Sequence, residues 1–262
     1  MREVLQTIER VSPSDLSVLI LGEQGTGKEW AARLIHDLSF RANGPFWPFD
    51  CLSMPSESLE PELFGSETLT REGIVIRRGA FEEAAGGTLL LNEIGALPAG
   101  PQKKIARALE YKDLVPIGGE RHVQVDVRII ATHTQQSSEV FRDAVFDKDM
   151  IYRISPILIE LPPLRKRRED IPLLVNNILS NIGADGNAAP KRLSPEALSL
   201  CQSYHWPGNI RHLKNAIQYA SVMSTSDVIQ PRDLPSYLRK SQHQRTSSES
   251  IEKKQSGHLT DK

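Results

Sequence analysis

The chain has 262 residues, of which 39% are hydrophobic and 25% charged, and its formal net charge at pH 7 is -1. That length can bury one substantial core and a small second one, and the near-neutral charge argues against a globally basic nucleic-acid binder. Cys51 and Cys201 are far apart and have no His or Cys at metal-ligand spacing, which favours a reduced cytosolic protein over a disulfide framework. No apolar run approaches the ~20 residues that a bilayer-spanning helix needs, and the first residues lack the apolar centre of a signal peptide. We therefore expect a cytoplasmic protein without a membrane segment.

The first predicted strand, 18–21, leads into a glycine-rich loop and then into a helical pattern over 28–38. This strand–loop–helix context is the one that a phosphate-binding P-loop requires. The loop glycines allow backbone N–H groups to turn inward around phosphate oxygens, the helix directs its positive end toward them, and the lysine adds a mobile charge. A glycine-rich turn that happens to carry a lysine is the alternative, and the flanking elements disfavour it. The candidate nucleotide-binding residues here are Gly22, Glu23, Gly25, Thr26, Gly27, Lys28 and Glu29.

A second β-prone run, 88–91, ends in the polar pair Asn92-Glu93. Because parallel strands end at the ligand-bearing edge of an α/β sheet, this pattern indicates a Walker B strand. Glu93 is then placed to orient or deprotonate the water that attacks the terminal phosphate. A solvated carboxylate at a strand end is the alternative, and without the upstream P-loop it would be the better interpretation. Glu29 stands where the general P-loop pattern has a Ser or Thr that ligates magnesium, so other residues must hold the metal.

Short apolar, β-prone runs alternate with helical patterns, notably 28–38 and 102–111, in the first two thirds of the chain. The runs are 18–21, 46–49, 88–91, 125–131 and 157–161. This alternation predicts an α/β fold, in which a parallel five-stranded sheet is flanked by helices.

After Pro162-Pro163 the pattern becomes helical or unstructured. A helix is predicted to start at Ser194-Pro195-Glu196, which has a capping serine and a proline at the first helical position, and another after Trp206-Pro-Gly208. We expect three parts. They are an α/β nucleotide-binding domain over 1–163, a small all-α domain over 164–240 and a disordered polar tail over 241–262.

Six stretches together resemble the AAA+ domain of sigma-54-dependent transcriptional activators, also called bacterial enhancer-binding proteins, and they follow the family's order across residues 1–238. They are GEQGTGKEWAARLIH, ELFG at 62–65, GAFEEAAGGTLLLNEIGALP at 79–98, VDVRIIATHT at 125–134, LPPLRKRREDIPLL at 161–174 and WPGNIRHLKNAI at 206–217. The resemblance implies an AAA+ P-loop NTPase with a small all-α lid. It also implies a ring, usually hexameric, of self or related AAA+ subunits that binds ATP with Mg2+ between subunits and remodels RNA polymerase holoenzyme carrying sigma-54.

The resemblance implies a role for each matching residue. Lys28 would hold phosphates, Glu93 would be the catalytic base, and Thr132-His133 would be the nucleotide-sensing strand end. Arg211 would be the lid's sensor, and Arg153 would be offered to the neighbouring subunit's ATP, where it would neutralise developing phosphoryl charge. A surface salt bridge is the alternative for each arginine.

Two departures from the family concern its contacts with other proteins. The family's GAFTGA loop, which contacts sigma-54, aligns with 69–74, where only Gly73 is retained and Arg71 and Glu72 replace the aromatic residue and the threonine. This argues against productive contact with sigma-54. Asp147 stands where the family usually has another arginine directed across the subunit interface, which disfavours ATP-driven ring closure.

Two further departures lie in the pocket. Asn92 replaces the Walker B acid, and Asp50 replaces the asparagine that hydrogen-bonds the catalytic glutamate. The exchange keeps the number of carboxylates, so we expect Asp50 to restore part of the charge around magnesium, with nucleotide binding retained and hydrolysis slowed. The predicted magnesium ligands are Asp50, Asn92 and Glu93.

Two functions remain open at this point. The chain is either an ATP-hydrolysing AAA+ regulator or a catalytically impaired nucleotide-binding module that regulates by pairing with an intact family member. A third, an unrelated P-loop ATPase such as a helicase loader, is disfavoured by the motifs at 161–171 and 206–211. The pattern begins almost at Met1 and the tail shows no helical periodicity, so we expect neither a sensory domain nor a DNA-binding domain in this chain.

Overall fold

The computed structural model describes residues 1–134, 146–185 and 191–239. The chain divides into two compact units, Met1–Leu161 and Pro162–Lys262. The predicted polar tail over 241–262 lies outside the described residues. None of the described helices is both long enough and apolar enough to cross a lipid bilayer.

The first unit is built around a parallel sheet. Its strands, in chain order, are β1 (Val18–Leu21), β2 (Phe46–Asp50), β3 (Ser66–Thr70), β4 (Gly73–Arg77), β5 (Thr88–Asn92), β6 (Asp113–Leu114), β7 (Val123–Gln124), β8 (Arg128–His133) and β9 (Ile157–Glu160). Five of them pair in parallel in the order β2-β5-β8-β1-β9. The described helices of this unit are α1 (Arg2–Val11), α2 (Lys28–Asp37), α3 (Ser56–Phe64), α4 (Ala80–Glu83), α5 (Ala99–Tyr111) and α6 (Lys148–Ile154). The predicted five-stranded α/β fold is confirmed.

Strand β1 shows why the central strands are continuous apolar runs. Leu19 and Leu21 pack into one core cluster, whereas Val18 and Ile20 pack into another. Because successive side chains of a strand point to opposite faces, both faces of the sheet are buried. The carboxyl ends of β1, β5 and β8 therefore come together at one edge, where the polar residues that follow them can meet.

The fourth predicted strand, 125–131, is misplaced: β8 begins at Arg128 and continues to His133. Before that point the backbone bonds outside the sheet, since Val125 N donates to the Lys112 carbonyl and Gly86 N donates to the Asp126 carbonyl. The extension to His133 follows from pairing with Leu21 at the end of β1.

Strands β3 and β4 form a separate antiparallel ribbon that the sequence patterns did not predict. The ribbon turns at Arg71 and Glu72, and Gly73 closes the turn with a φ of +129°. Leu69 and Ile74 face each other across it and are 82% and 65% exposed. Residues 69–74, for which the sequence resemblance predicts an altered GAFTGA loop, lie at the tip of this ribbon, and that alignment stays a prediction.

The described α-helices of the second unit are α7 (Ile171–Asp185), α8 (Pro195–Ser203) and α9 (Asn209–Met223). The predicted starts of α8 and α9 are confirmed, and Ser194 Oγ accepts from Ala197 N at 3.2 Å as the cap of α8. The expectation of helix or coil alone is wrong in one respect, because β10 (Arg192–Leu193) and β11 (Val228–Ile229) pair in parallel. Trp206 is fully buried in this unit's core and its Nε1 donates to the Cys201 carbonyl at 2.7 Å.

Candidate functional site

The loop between β1 and α2 adopts the backbone conformation that its glycines allow. Gly22, Gly25 and Gly27 have φ values of +153°, +76° and +102°, and Gly27 is the N-cap of α2. A Cβ added at Gly22 would lie 3.0 Å from the Leu161 carbonyl oxygen. L-residues with side chains are strained in such conformations, so this loop depends on glycine. Gly27 ends the loop at the positive end of α2, and such a helix end is a general anion site.

The loop lysine is buried and has three oxygen partners. Lys28 is 7% exposed, and its Nζ donates to the Gly22 carbonyl at 2.9 Å and to Thr134 Oγ1 at 3.0 Å. It also forms an ion pair with Glu93 Oε1 at 3.0 Å. A buried ammonium is stable only when charged and hydrogen-bonded partners offset its desolvation. The predicted phosphate lysine and the predicted catalytic base are therefore in direct contact.

Thr134 is a site residue that the sequence analysis missed. Its hydroxyl accepts from Lys28 and donates to Glu93 Oε1 at 2.7 Å, so it joins the two charged groups. The available signal was its position immediately after β8, at the edge of the sheet where β1 and β5 also end.

Glu93 has a strained backbone. Its φ and ψ are 54° and 57°, a left-handed conformation that a residue with a side chain adopts at a cost of about 1–3 kcal/mol. Its backbone N–H donates to Thr132 Oγ1 at 3.1 Å, which holds this conformation at the end of β5. The strain turns the chain sharply after the strand and directs the carboxylate toward Lys28.

The His133 ring lies beside the same carboxylate. Its Nδ1 is 3.8 Å from Glu93 Oε2, and the ring packs edge-on against Phe146 with centroids 5.1 Å apart. Within the part of the chain that the structure describes, its two buried ring nitrogens have no hydrogen-bond partner. A Cβ on Gly95 would lie 2.3 Å from the ring, so only glycine permits this approach. His133 is thus packed against the site with two buried ring nitrogens that no hydrogen bond of the described residues satisfies.

Asn92 links Glu29 at the start of α2 to Thr132 on β8. Its Oδ1 accepts from Thr132 Oγ1 at 2.5 Å, and its Nδ2 donates to Glu29 Oε1 at 2.9 Å. The sequence predicted Glu29, Asn92 and Thr132 as nucleotide-binding residues, and the structure places them in one hydrogen-bonded chain.

Asp50 ends β2, and its Cα pairs with that of Asn92 in the neighbouring strand. Its side chain is exposed, and its Oδ1 accepts from Leu52 N at 3.1 Å and so closes a local turn. Burial raises the pKa of the adjacent Cys51 thiol to about 12, and the carboxylates of Asp50 and Glu93 act in the same direction. Cys51 is therefore an inert, protonated thiol.

The site fits a nucleotide better than it fits a magnesium ion. Backbone amides and Lys28 suit phosphate oxygens, but Asn92 directs an amide N–H group, not an oxygen, at Glu29. In the described ranges, no group of three or more His, Cys, Asp and Glu side chains is placed to hold a metal ion. The donor set does not fit Mg2+, and the ligands Asp50, Asn92 and Glu93 stay a prediction from sequence.

The two predicted arginines lie in different units. Arg153 is on α6, where its Nη2 is 3.0 Å from Glu110 Oε2, in line with the surface salt-bridge alternative. Arg211 is exposed on the first turn of α9. Their roles toward ATP stay predictions.

Asp147 has a structural role that its alignment with an arginine did not suggest. It is the N-cap of α6, and its Oδ1 accepts from Met150 N at 3.0 Å. Its own N–H donates to Gln102 Oε1 at 2.6 Å. Aspartate before a helical pattern is a known start signal, and it would have identified this cap from sequence.

Models of known protein families match both units of the chain. The family model of the Sigma-54 interaction domain matches residues 1–160, and that of the AAA+ ATPase lid domain matches residues 165–251.

Individual relatives agree with these matches. The regulatory protein AtoC of Escherichia coli is 42% identical over 240 residues, which cover 91% of this chain and 52% of AtoC. The nitrogen fixation protein VnfA of Azotobacter vinelandii is 41% identical over 91% of this chain and 46% of VnfA. The chain thus spans about half the length of the curated relatives it matches.

Solved structures show the same likeness. The crystal structure of NtrX from Brucella abortus in complex with ATP has a TM-score of 0.84 and 36% identity, over 92% of this chain and 54% of NtrX. The structure of NtrX in complex with ADP has a TM-score of 0.83 and 35% identity, over 91% of this chain and 54% of NtrX. The chain therefore belongs to the family of sigma-54-dependent transcriptional activators, of which it carries the AAA+ Sigma-54 interaction domain and the lid.

Proposed function

We propose that this chain binds ATP in the loop between β1 and α2, hydrolyses it slowly, and acts as the nucleotide-dependent module of a transcriptional regulator. The observation that carries this proposal is the contact of Lys28 with Glu93 beside a glycine loop in left-handed conformations. A phosphate at this loop would be met by the helix end and by the ammonium group. NtrX of Brucella abortus, which is similar over 92% of this chain, was crystallised with ATP.

The same contact gives a reason for slow hydrolysis. Lys28 carries three N–H donors, and the Gly22 carbonyl, Thr134 and Glu93 engage them. A phosphate must compete for this ammonium group, and Glu93 can orient a water only as far as the lysine releases it. Thr134 is well placed to hold the Glu93 carboxylate when Lys28 turns to the phosphate, because its hydroxyl already donates to Oε1.

Arg153 is the residue that would contact the ATP of a neighbouring subunit. An arginine supplied to a neighbouring subunit's ATP must leave its own partner, and here that partner is Glu110 on the exposed face of α5. Asp147, which caps α6, adds no cation to that face. A ring of this chain, or of this chain with related AAA+ subunits, would therefore hydrolyse ATP weakly.

The alternative is a nucleotide-binding interaction module that pairs with an intact family member. The β3–β4 ribbon supports it, since its turn carries Arg71 and Glu72 and its apolar pair Leu69 and Ile74 is exposed. These side chains differ from those of the GAFTGA loop, so remodelling of sigma-54 by this chain alone is not part of the proposal.

The ATPase rate of the purified protein, measured with magnesium chloride present, separates the two functions. We expect a rate below about 1 s⁻¹ per chain, under the usual range for enzymes, that rises with protein concentration because Arg153 acts in trans. Lys28→Ala provides the background rate, and Arg153→Ala should remove the concentration dependence. A wild-type rate equal to that of Lys28→Ala would reject the enzyme and leave the interaction module.

A further inference from the structure

The Thr132–Asn92–Glu29 chain connects three parts of the site that a bound metal ion would otherwise connect. Thr132 is on β8, Asn92 ends β5 and Glu29 is on the first turn of α2. Building on the proposed nucleotide binding, we propose that Asn92 is a positioning residue that replaces a bridging cation. The site then holds a nucleoside diphosphate or triphosphate without requiring Mg2+.

The orientation of the Asn92 amide follows from its partners. An ionised Glu29 carboxylate can only accept, so the amide nitrogen must face it. The amide oxygen then faces Thr132, and the threonine hydroxyl donates to it. Thr132 Oγ1 in turn accepts from Glu93 N, so its proton is free to point at Asn92. With this orientation of the Asn92 amide, every hydrogen bond that joins Thr132, Asn92 and Glu29 pairs a donor with an acceptor.

An aspartate at position 92 would replace the hydrogen bond to Glu29 with a repulsive contact. Its second oxygen would stand where Nδ2 now lies, 2.9 Å from Glu29 Oε1. Two carboxylate oxygens at that separation repel each other and require a proton or a cation between them. Such a pair of carboxylates would favour the binding of a magnesium ion, because hard cations prefer carboxylate oxygens. The amide removes both the repulsion and the reason for the ion.

Asn92 also uses the groups that a cation would need. A metal ion bound here would have to break the bond between Asn92 and Glu29 and displace Thr132 from the amide oxygen. Without a metal ion, the negative charge of the phosphates would be met by Lys28, the loop amides and the positive end of α2. None of these groups depends on a metal. Magnesium should consequently add little to nucleotide affinity.

The test is calorimetric titration of ADP, which avoids hydrolysis, into folded protein with either magnesium chloride or EDTA. We expect the dissociation constant of the wild type to differ by less than about threefold between the two, and that of Asn92→Asp by at least about tenfold in favour of magnesium. Asn181→Asp, on α7 in the second unit, is the matched control for the added charge and should behave as the wild type. Circular dichroism verifies that each variant is folded.

The outcomes separate this inference from the proposed function. Wild-type binding that falls more than about threefold in EDTA, or an Asn92→Asp variant indifferent to magnesium, would overturn the role given to Asn92 and leave nucleotide binding intact. If folded wild type takes up no ADP in either buffer, the proposed function fails and the inference fails with it.

Discussion

Lys28→Ala is expected to weaken ATP binding by about 10- to 100-fold, the effect of removing a charged hydrogen bond to a phosphate. Lys28 is the buried cation of the glycine loop, and its ammonium group contacts the Gly22 carbonyl, Thr134 and Glu93. The substitution removes the charge that offsets the phosphates and leaves the Glu93 carboxylate facing them. Repulsion from that carboxylate adds to the loss.

Equilibrium dialysis with ATP measures the loss directly. The matched control is Lys104→Ala, because Lys104 is a half-exposed lysine whose ion pair with Glu60 lies on the surface of the same unit. That variant should bind ATP as the wild type does. Equal affinities for Lys28→Ala and the wild type would show that the nucleotide, if it binds, binds elsewhere.

Arg128→Ala is expected to lower the free energy of unfolding by about 2–4 kcal/mol, because it removes the donor of one buried and two partly buried hydrogen bonds to carbonyl groups. Arg128 is 1% exposed, and its guanidinium donates to the carbonyls of Val11, Ser12 and Leu16 at 3.1, 2.7 and 3.3 Å. It thus satisfies the carboxyl end of α1 from the first residue of β8. Burial lowers the pKa of Arg128, which reflects the cost of holding a cation there.

Urea denaturation checks this value. Arg128→Lys should recover little of the lost stability, since one ammonium group cannot reach three carbonyls as a planar guanidinium does. Arg77→Ala, at an exposed site on β4, should change the unfolding free energy by no more than about 0.5 kcal/mol. An Arg128→Ala protein as stable as Arg77→Ala would show that the three carbonyls find other partners.

The elements that sequence predicts well are those with a local cause. Four consecutive apolar residues at 18–21 indicated a strand buried on both faces, and the structure has it. The helix start at Ser194 was readable from capping chemistry, which involves residues three apart in the chain, and the start after Gly208 from the helical spacing of the apolar residues that follow it. The P-loop belongs here as well, since its glycines, lysine and helix are contiguous.

The contacts between side chains needed the structure. Lys28 and Thr134 are 106 residues apart, and Asn92 and Glu29 are 63 apart, so their meeting depends on sheet order and strand register. From its residue type alone, Asn92 was predicted to be a magnesium ligand weaker than the acid that it replaces. Its geometry gives a hydrogen-bond donor to Glu29, and that distinction rests on which amide atom faces which neighbour.

Asp147 and the β3–β4 ribbon show a second limit. Both were interpreted by comparison with other sequences, as a lost arginine and a lost loop, and both have structure of their own. Asp147 caps α6, and the ribbon is a regular antiparallel pair with a tight turn. A departure from a family pattern indicates what a position no longer does, whereas the replacing residue's own bonds show what it does now.

The most direct test of the account is calorimetric titration of ATP into the folded wild-type chain. The account predicts a saturable heat with about one ATP bound per chain, since the loop, the lysine and the helix end would together enclose a triphosphate. A folded protein that releases or absorbs no heat with ATP at any concentration would contradict it, and the glycine loop would then be a turn with a buried lysine.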